Sequence, residues 1–123
     1  NGGLAMTSAL KIVTSETELF LSSNGKRLYT INIYNTDDIL TQGKWSEFQK
    51  DVRIIVCNEE NIIIHGNWYT SPMLNYQSMS LSFNLTGDFP EMTARTLKGG
   101  LSGLHEEYPG CTIQWTEAEV NYL

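Results

Sequence analysis

Four kinds of side chain in this sequence have types and spacings suited to chemistry: a glycine-rich run, two histidines, two cysteines and three adjacent carboxylate pairs. Lys98-Gly99-Gly100-Leu101-Ser102-Gly103 has the glycines and the lysine of a phosphate-binding loop. Such a loop needs its glycines at a strand-to-helix turn, where backbone N–H groups still lack partners. Here they fall between Leu97 and Leu104, inside a helical apolar repeat whose N–H groups are already used. Each glycine costs about 1 kcal/mol relative to alanine in a helix interior. The run is therefore expected to serve close approach of a helix to a sheet.

A metal site wants His, Cys or carboxylate at i,i+4 or across one hairpin. His65 and His105 show neither pattern, so no metal and no cofactor is expected. A nucleophile must be held by a base that a third group orients, and no motif ties a serine, threonine or cysteine to either histidine. Cys57 and Cys111 each border an apolar run and are expected to be buried free thiols in a reducing cytoplasm. Asp37-Asp38, Glu59-Glu60 and Glu106-Glu107 are adjacent pairs whose members point in different directions. They are expected as solvated caps, turn tips or helix ends, and no catalytic residue is assigned.

Charge placement says more. Fourteen Asp+Glu against eight Lys+Arg give a net charge of −6, which disfavours direct binding to nucleic acid or to an anionic membrane. From Gly99 onward there are four acids (Glu106, Glu107, Glu117, Glu119) and no Lys or Arg, so two-thirds of the excess lies in the last 25 residues. Trp45, Trp68, Tyr69 and Tyr76 stand outside the clean apolar alternation.

These residues need a scaffold. A chain of 123 residues, 41% hydrophobic and 18% charged, fits one globular domain. About two-thirds of its surface leaves water on folding, enough for a core without staples. Residues 1–5 precede Met6 and read as a remnant foreign to the domain, which is then 6–123. No stretch approaches the roughly 18 apolar residues of a membrane span.

Leu10–Val13 reads as a first strand. Glu18–Ser23 and Lys26–Tyr34 flank Asn24-Gly25, a type I′ hairpin signal that sets Leu21 opposite Leu28 and Phe20 opposite Tyr29. One or two short helices are expected over residues 37–50, after Thr36-Asp37-Asp38. The runs Val52–Cys57 and Ile62–Tyr69 predict a hairpin of central strands, with His65 opposite Ile54. Tyr76–Leu85 alternates strictly and predicts a half-buried strand. Asp88, Pro90 and Glu91 signal the start of a helix over residues 89–107, with Ala94, Leu97, Leu101, Leu104 and Tyr108 on its apolar face. Cys111, Ile113 and Trp115 alternate as a last strand, followed by an amphipathic tail over 117–123. The expected class is α+β: a mainly antiparallel sheet of five to six strands with the helices on one face.

The functional expectation is a small acidic binding protein that neutralises a basic, nucleic-acid-processing partner (a toxin or nuclease-like protein), as immunity proteins, antitoxins and anti-defence factors do. Glu106, Glu107, Glu117 and Glu119 would steer the encounter and Trp68 and Tyr69 would anchor it. The alternative is a small-ligand-binding or enzymatic domain with a cleft between sheet and helix, drawing on Cys57, His65, Tyr69 and Tyr76. Self-association through an exposed strand edge or aromatic patch is a third.

Overall fold

The computed structural model describes residues 27–70 and 76–121. The elements run β1 (Arg27–Thr36), α1 (Gln42–Cys57), β2 (Ile62–Tyr69), β3 (Tyr76–Leu85), α2 (Pro90–Ser102), a one-turn α3 (Leu104–Glu107) and β4 (Thr112–Glu119). The strands form one open antiparallel sheet in the order β2-β3-β1-β4. This β-α-β-β-α-β order with β1 and β3 central is the split βαβ, or ferredoxin-like, arrangement. The class is α+β as expected, with four strands among the described residues rather than five to six.

Alternation builds the sheet. Tyr29, Ile31, Ile33 and Asn35 of β1 face inward beside Met79, Leu81, Phe83 and Leu85 of β3, and all are buried. Both main helices cover this one face, and Phe48, Val52, Val56, Ala94 and Leu97 complete a single core. The other face is polar and bears no Asp, Glu, Lys or Arg on the described strands. There Thr30 meets Ser82 at 3.1 Å, Tyr34 donates to Gln114 at 2.8 Å, and Ser80 donates to Asn32.

Several expectations are corrected. Residues 52–57 are not a strand but the second half of α1. Trp45, Phe48, Val52 and Val56 recur at spacings of three and four and are all buried, whereas Ile54 is 45% exposed. The helix begins where Thr41 accepts the Lys44 N–H at 3.2 Å. It ends at Cys57, which is exposed rather than buried. The β-branched Ile54-Ile55-Val56 lowers helix propensity by only a few tenths of a kcal/mol per residue, less than the core contacts return. His65 therefore has no strand partner at Ile54; it meets Asn84, beside an irregularity between Ile64 and Gly66 in the pairing with β3. Nor is β2 central: it is an edge strand, and Ile63, Trp68 and Tyr69 are exposed.

Leu10–Val13 and the first arm of the Asn24-Gly25 hairpin lie outside the described residues. At Tyr29, however, both hydrogen-bonding edges are taken, by Phe83 on β3 and Glu117 on β4. The helix over 89–107 is interrupted at Gly103, whose N–H returns to Gly99 O at 3.2 Å. Its N-cap is Phe89 with no side-chain cap, so Asp88 does not close a capping box. The glycine run faces a helix rather than the sheet: a Cβ on Gly100 would lie 3.4 Å from Ile55 Cγ2 of α1, and Gly99 is open. Cys111 is buried as expected, and the tail over 117–123 begins as the end of β4.

Ile54→Lys discriminates the helix from the expected strand. On the outer face of α1 it should change stability by no more than about 0.5 kcal/mol. In a strand covered on both faces an unpaired lysine would cost several kcal/mol. Chemical denaturation of the two proteins measures the difference.

Candidate functional site

Antiparallel pairing decides which of the singled-out side chains meet. β1 ends at Thr36 beside Tyr76, the start of β3, and Tyr34 pairs with Thr112, the start of β4. Tyr69, at the end of β2, pairs with Met79. One end of the sheet thus collects the β1–α1 turn and the α3–β4 turn.

This end carries two acidic pairs from distant parts of the chain. Asp37 and Asp38 form the turn after β1, both with left-handed backbone (φ 55 and 53). Aspartate tolerates that region better than most residues. The turn packs on the α3–β4 loop, where Gly110 has φ +85 and a Cβ would stand 2.9 Å from Ile39 Cγ2. Glu106 and Glu107 lie exposed on α3, just before that loop. None of the four carboxylates is in an ion pair among the described residues. Glu106 and Glu107 are the last two residues of the one-turn α3.

Tyr108 joins this end to the core. Buried against Phe48, with ring centroids 5.0 Å apart, it donates its hydroxyl to Asp51 Oδ2 at 2.5 Å. Burial, and then that bond to a carboxylate, push the Tyr108 pKa well above the ordinary tyrosine range. Nearby on the sheet, Trp68 is 56% exposed on the polar face and its ring lies over Gly66, where a Cβ would be 2.4 Å away. Tyr69 points to the other face, accepting from Arg53 at 3.0 Å and donating to Asn67 Oδ1 at 2.7 Å. β2 is two strand spacings from β1, roughly 10 Å. Through Ser80 and Met79, Trp68 and Tyr69 register with Asn32 and Ile33 in the middle of β1, inward of the end that carries Glu106 and Glu107.

Glu117 and Glu119 lie at the opposite end from Glu106 and Glu107. They occupy the far end of β4, Glu119 beside Arg27, roughly 17 Å of strand beyond Thr112 for Glu117. Glu117 is moreover committed. It lies 3.2 Å from Arg27 and 3.5 Å from Lys98, and it accepts the Trp115 indole N–H at 3.0 Å. The indole bond first, against the opposing effect of burial, and then Lys98 and Arg27 hold its carboxyl below the ordinary glutamate range. Its contribution to the fold is complete above pH 4.5, the ordinary value, and is lost as pH falls through the depressed one.

These charges rim a cleft of 280 Å³ between α2 and the β1–β4 edge, lined by Arg27, Tyr29, Glu91, Arg95, Lys98 and Glu117. Glu91, Arg95 and Lys98 follow one helical stripe at i, i+4 and i+7, a pattern visible in the sequence but not singled out. Arg27 and Glu117 are 90 residues apart and meet only through strand register.

Cys57, His65, Tyr69 and Tyr76, the residues of the alternative site, are dispersed. Cys57 ends α1, His65 lies on the polar face with Asn84, and the Tyr76 ring is tilted against Tyr34 with centroids 5.7 Å apart. A contact with no sequence signal joins Cys111 Sγ to His105 Nδ1 at 3.4 Å. Burial raises the Cys111 thiol, away from the thiolate a nucleophile needs. Among the described residues no three His, Cys, Asp or Glu side chains group closely enough to hold a metal ion. None of the described helices is long and apolar enough to cross a membrane.

No family model and no curated protein matches the chain. Solved structures do. A de novo designed protein, Foldit4, is 9% identical over 78% of this chain and 99% of its own, with a TM-score of 0.57. The C-terminal domain of the MgtC protein from Mycobacterium tuberculosis is 12% identical over 77% of this chain and 90% of its own, with a TM-score of 0.52. At such identities the likeness is one of fold alone, and a fold of this kind hosts many unrelated functions.

Proposed function

We propose that the protein is a small acidic binding protein that neutralises a basic, nucleic-acid-processing protein in a reducing cytoplasm, in the manner of an immunity protein, antitoxin or anti-defence factor. The observation that supports this reading is that Asp37-Asp38 and Glu106-Glu107, drawn from distant parts of the chain, lie at the same end of the sheet, with none of the four carboxylates in an ion pair among the described residues. Ile39 adds exposed apolar area at the same end, and Trp68 and Tyr69 add more on the edge strand β2. Aromatic side chains of this kind supply hot-spot area, and unpaired carboxylates speed encounter with a cationic cleft. Glu117, committed to Arg27 and Lys98, has no steering role here, and Glu119 lies at the far end.

The test is capture of the partner by the tagged full chain, followed by kinetics of the purified pair. Asp37→Asn, Asp38→Asn, Glu106→Gln and Glu107→Gln together should slow association by about tenfold or more at low salt. Trp68→Ala should speed dissociation, and the captured protein should lose nuclease activity when bound. An acidic partner, or association indifferent to both salt and the four substitutions, would sink the proposal.

A further inference from the structure

The cleft at the far end of β4 is a second place where charge is concentrated, and its balance is opposite to that of the whole chain. Three of the protein's eight Lys+Arg line it, against two carboxylates, in a molecule of net charge −6. Not all of these charges are available. Glu117 already holds Arg27 and Lys98. Arg95 and Glu91 are in none of the ion pairs among the described residues. The hydroxyl of Tyr29 belongs to a residue only 3% exposed, lines the cleft, and has no hydrogen-bond partner among the described residues. Its ring is held by Phe83 and Trp115, each with centroids 5.6 Å away.

The uncommitted groups are thus one guanidinium, one carboxylate and one buried hydroxyl. A dianion such as phosphate would have to displace Glu117 from Arg27 and Lys98 and would face two carboxylates. A simple cation would meet three positive side chains. A ligand with adjacent ammonium and carboxylate groups opposes neither. Its carboxylate can take the planar fork of Arg95 and the Tyr29 O–H, and its ammonium can take Glu91.

A second hollow of 220 Å³ adjoins the first across Lys98, lined by Leu101, Ile113 and Trp115 with Ser102 and His105 at its rim. Lys98 Nζ stands 5.2 Å from the Trp115 ring centroid. This wall suits an apolar side chain attached to the charged head. We propose that the cleft between α2 and the β1–β4 edge binds a free α-amino acid with an apolar side chain, Arg95, Glu91 and Tyr29 holding its backbone groups. This site is independent of the acidic end and of any protein partner.

Calorimetric titration of the full chain tests it, with L-leucine, L-methionine and L-phenylalanine as probes. At least one should bind saturably, and its N-acetyl and amide derivatives should bind at least tenfold more weakly. Arg95→Gln and Tyr29→Phe should each weaken binding at least tenfold while the thermal melt stays cooperative. Tyr29→Phe keeps the ring packing and so separates ligand loss from misfolding. Absence of saturable binding by all three probes would overturn the proposal. So would inorganic phosphate binding more tightly than any of them, or affinity unchanged in both variants.

Discussion

Phe48→Ala is expected to cost about 3–5 kcal/mol, the range for truncating a buried phenylalanine. The side chain is fully buried on α1, edge-on to Trp45 at 6.0 Å and 5.0 Å from the Tyr108 ring. Little around it can collapse into the space, because the sheet lies beneath and Tyr108 is held by Asp51. A domain of this size holds about 5–15 kcal/mol in total, so the loss is a large fraction and should lower Tm by roughly 10–20 °C. Phe89→Ala is the matched control: that side chain is 69% exposed, and the change should stay within about 0.5 kcal/mol. Denaturant titration of both variants gives the comparison. Equal effects would mean that α1 does not pack on the sheet through Phe48.

The same contact shows how far sequence could be read into fold. β3 and the apolar stripe of α2 were legible because each carries one unbroken period, two in Tyr76–Leu85 and three-to-four from Ala94 to Leu104. In α1 two signals compete. The spacing Trp45, Phe48, Val52, Val56 continues a helix, while Ile54-Ile55-Val56 imitates a buried strand. The run wins in a local reading, and the spacing wins in the fold because it aims four side chains into one core. The edges of β1 set another limit. Turn chemistry is local, but the edges of Tyr29 are claimed by strands more than 50 and more than 80 residues further along. No local pattern encodes that competition.

The candidate sites divide along the same line. Charge counting located an acidic quarter at the C-terminus, yet strand direction splits it: Glu106 and Glu107 go to one end of the sheet, Glu117 and Glu119 to the other. The acidic end is completed by Asp37-Asp38, which read as ordinary cap residues because their partners lie some 70 positions away. Likewise Glu117 counted as a free negative charge until register brought Arg27 to it. Formal charge can be summed from sequence; which charges remain unpaired depends on contacts between distant segments.

Asn35→Ala should be the second costly change, at about 2–5 kcal/mol, and it bears directly on the acidic end. Asn35 is 2% exposed, the last inward residue of β1. Its Oδ1 accepts the Leu40 N–H at 2.8 Å, and its Nδ2 donates to Leu40 O and to Gln77 Oε1, each at 3.0 Å. Gln77 in turn exchanges two bonds with Gln42, the first residue of α1, at 2.9 and 3.0 Å. This buried amide network holds the Asp37-Asp38 turn between β1 and α1. Alanine leaves the Leu40 N–H and C=O unpaired, at about 1–3 kcal/mol for each buried group. Asn35→Asp separates the donor and acceptor roles. An aspartate keeps the acceptor for Leu40 but turns its second oxygen toward two acceptors, so only the protonated form fits and its pKa must rise above the ordinary value near 3.9. A raised acid pKa gives stability that is present below the ordinary value and lost as pH rises through the raised one. Asn35→Asp should therefore be closer to the parent protein at pH 4 than at pH 7, whereas the deficit of Asn35→Ala should be alike at both. Denaturant midpoints at the two pH values decide this. Equal deficits for Asn35→Asp at both would show that its carboxyl escapes to solvent and that the network does not fix the turn. If the network does fix it, Asn35→Ala should also slow association with the basic partner although every carboxylate is retained, because the charges lose their common direction.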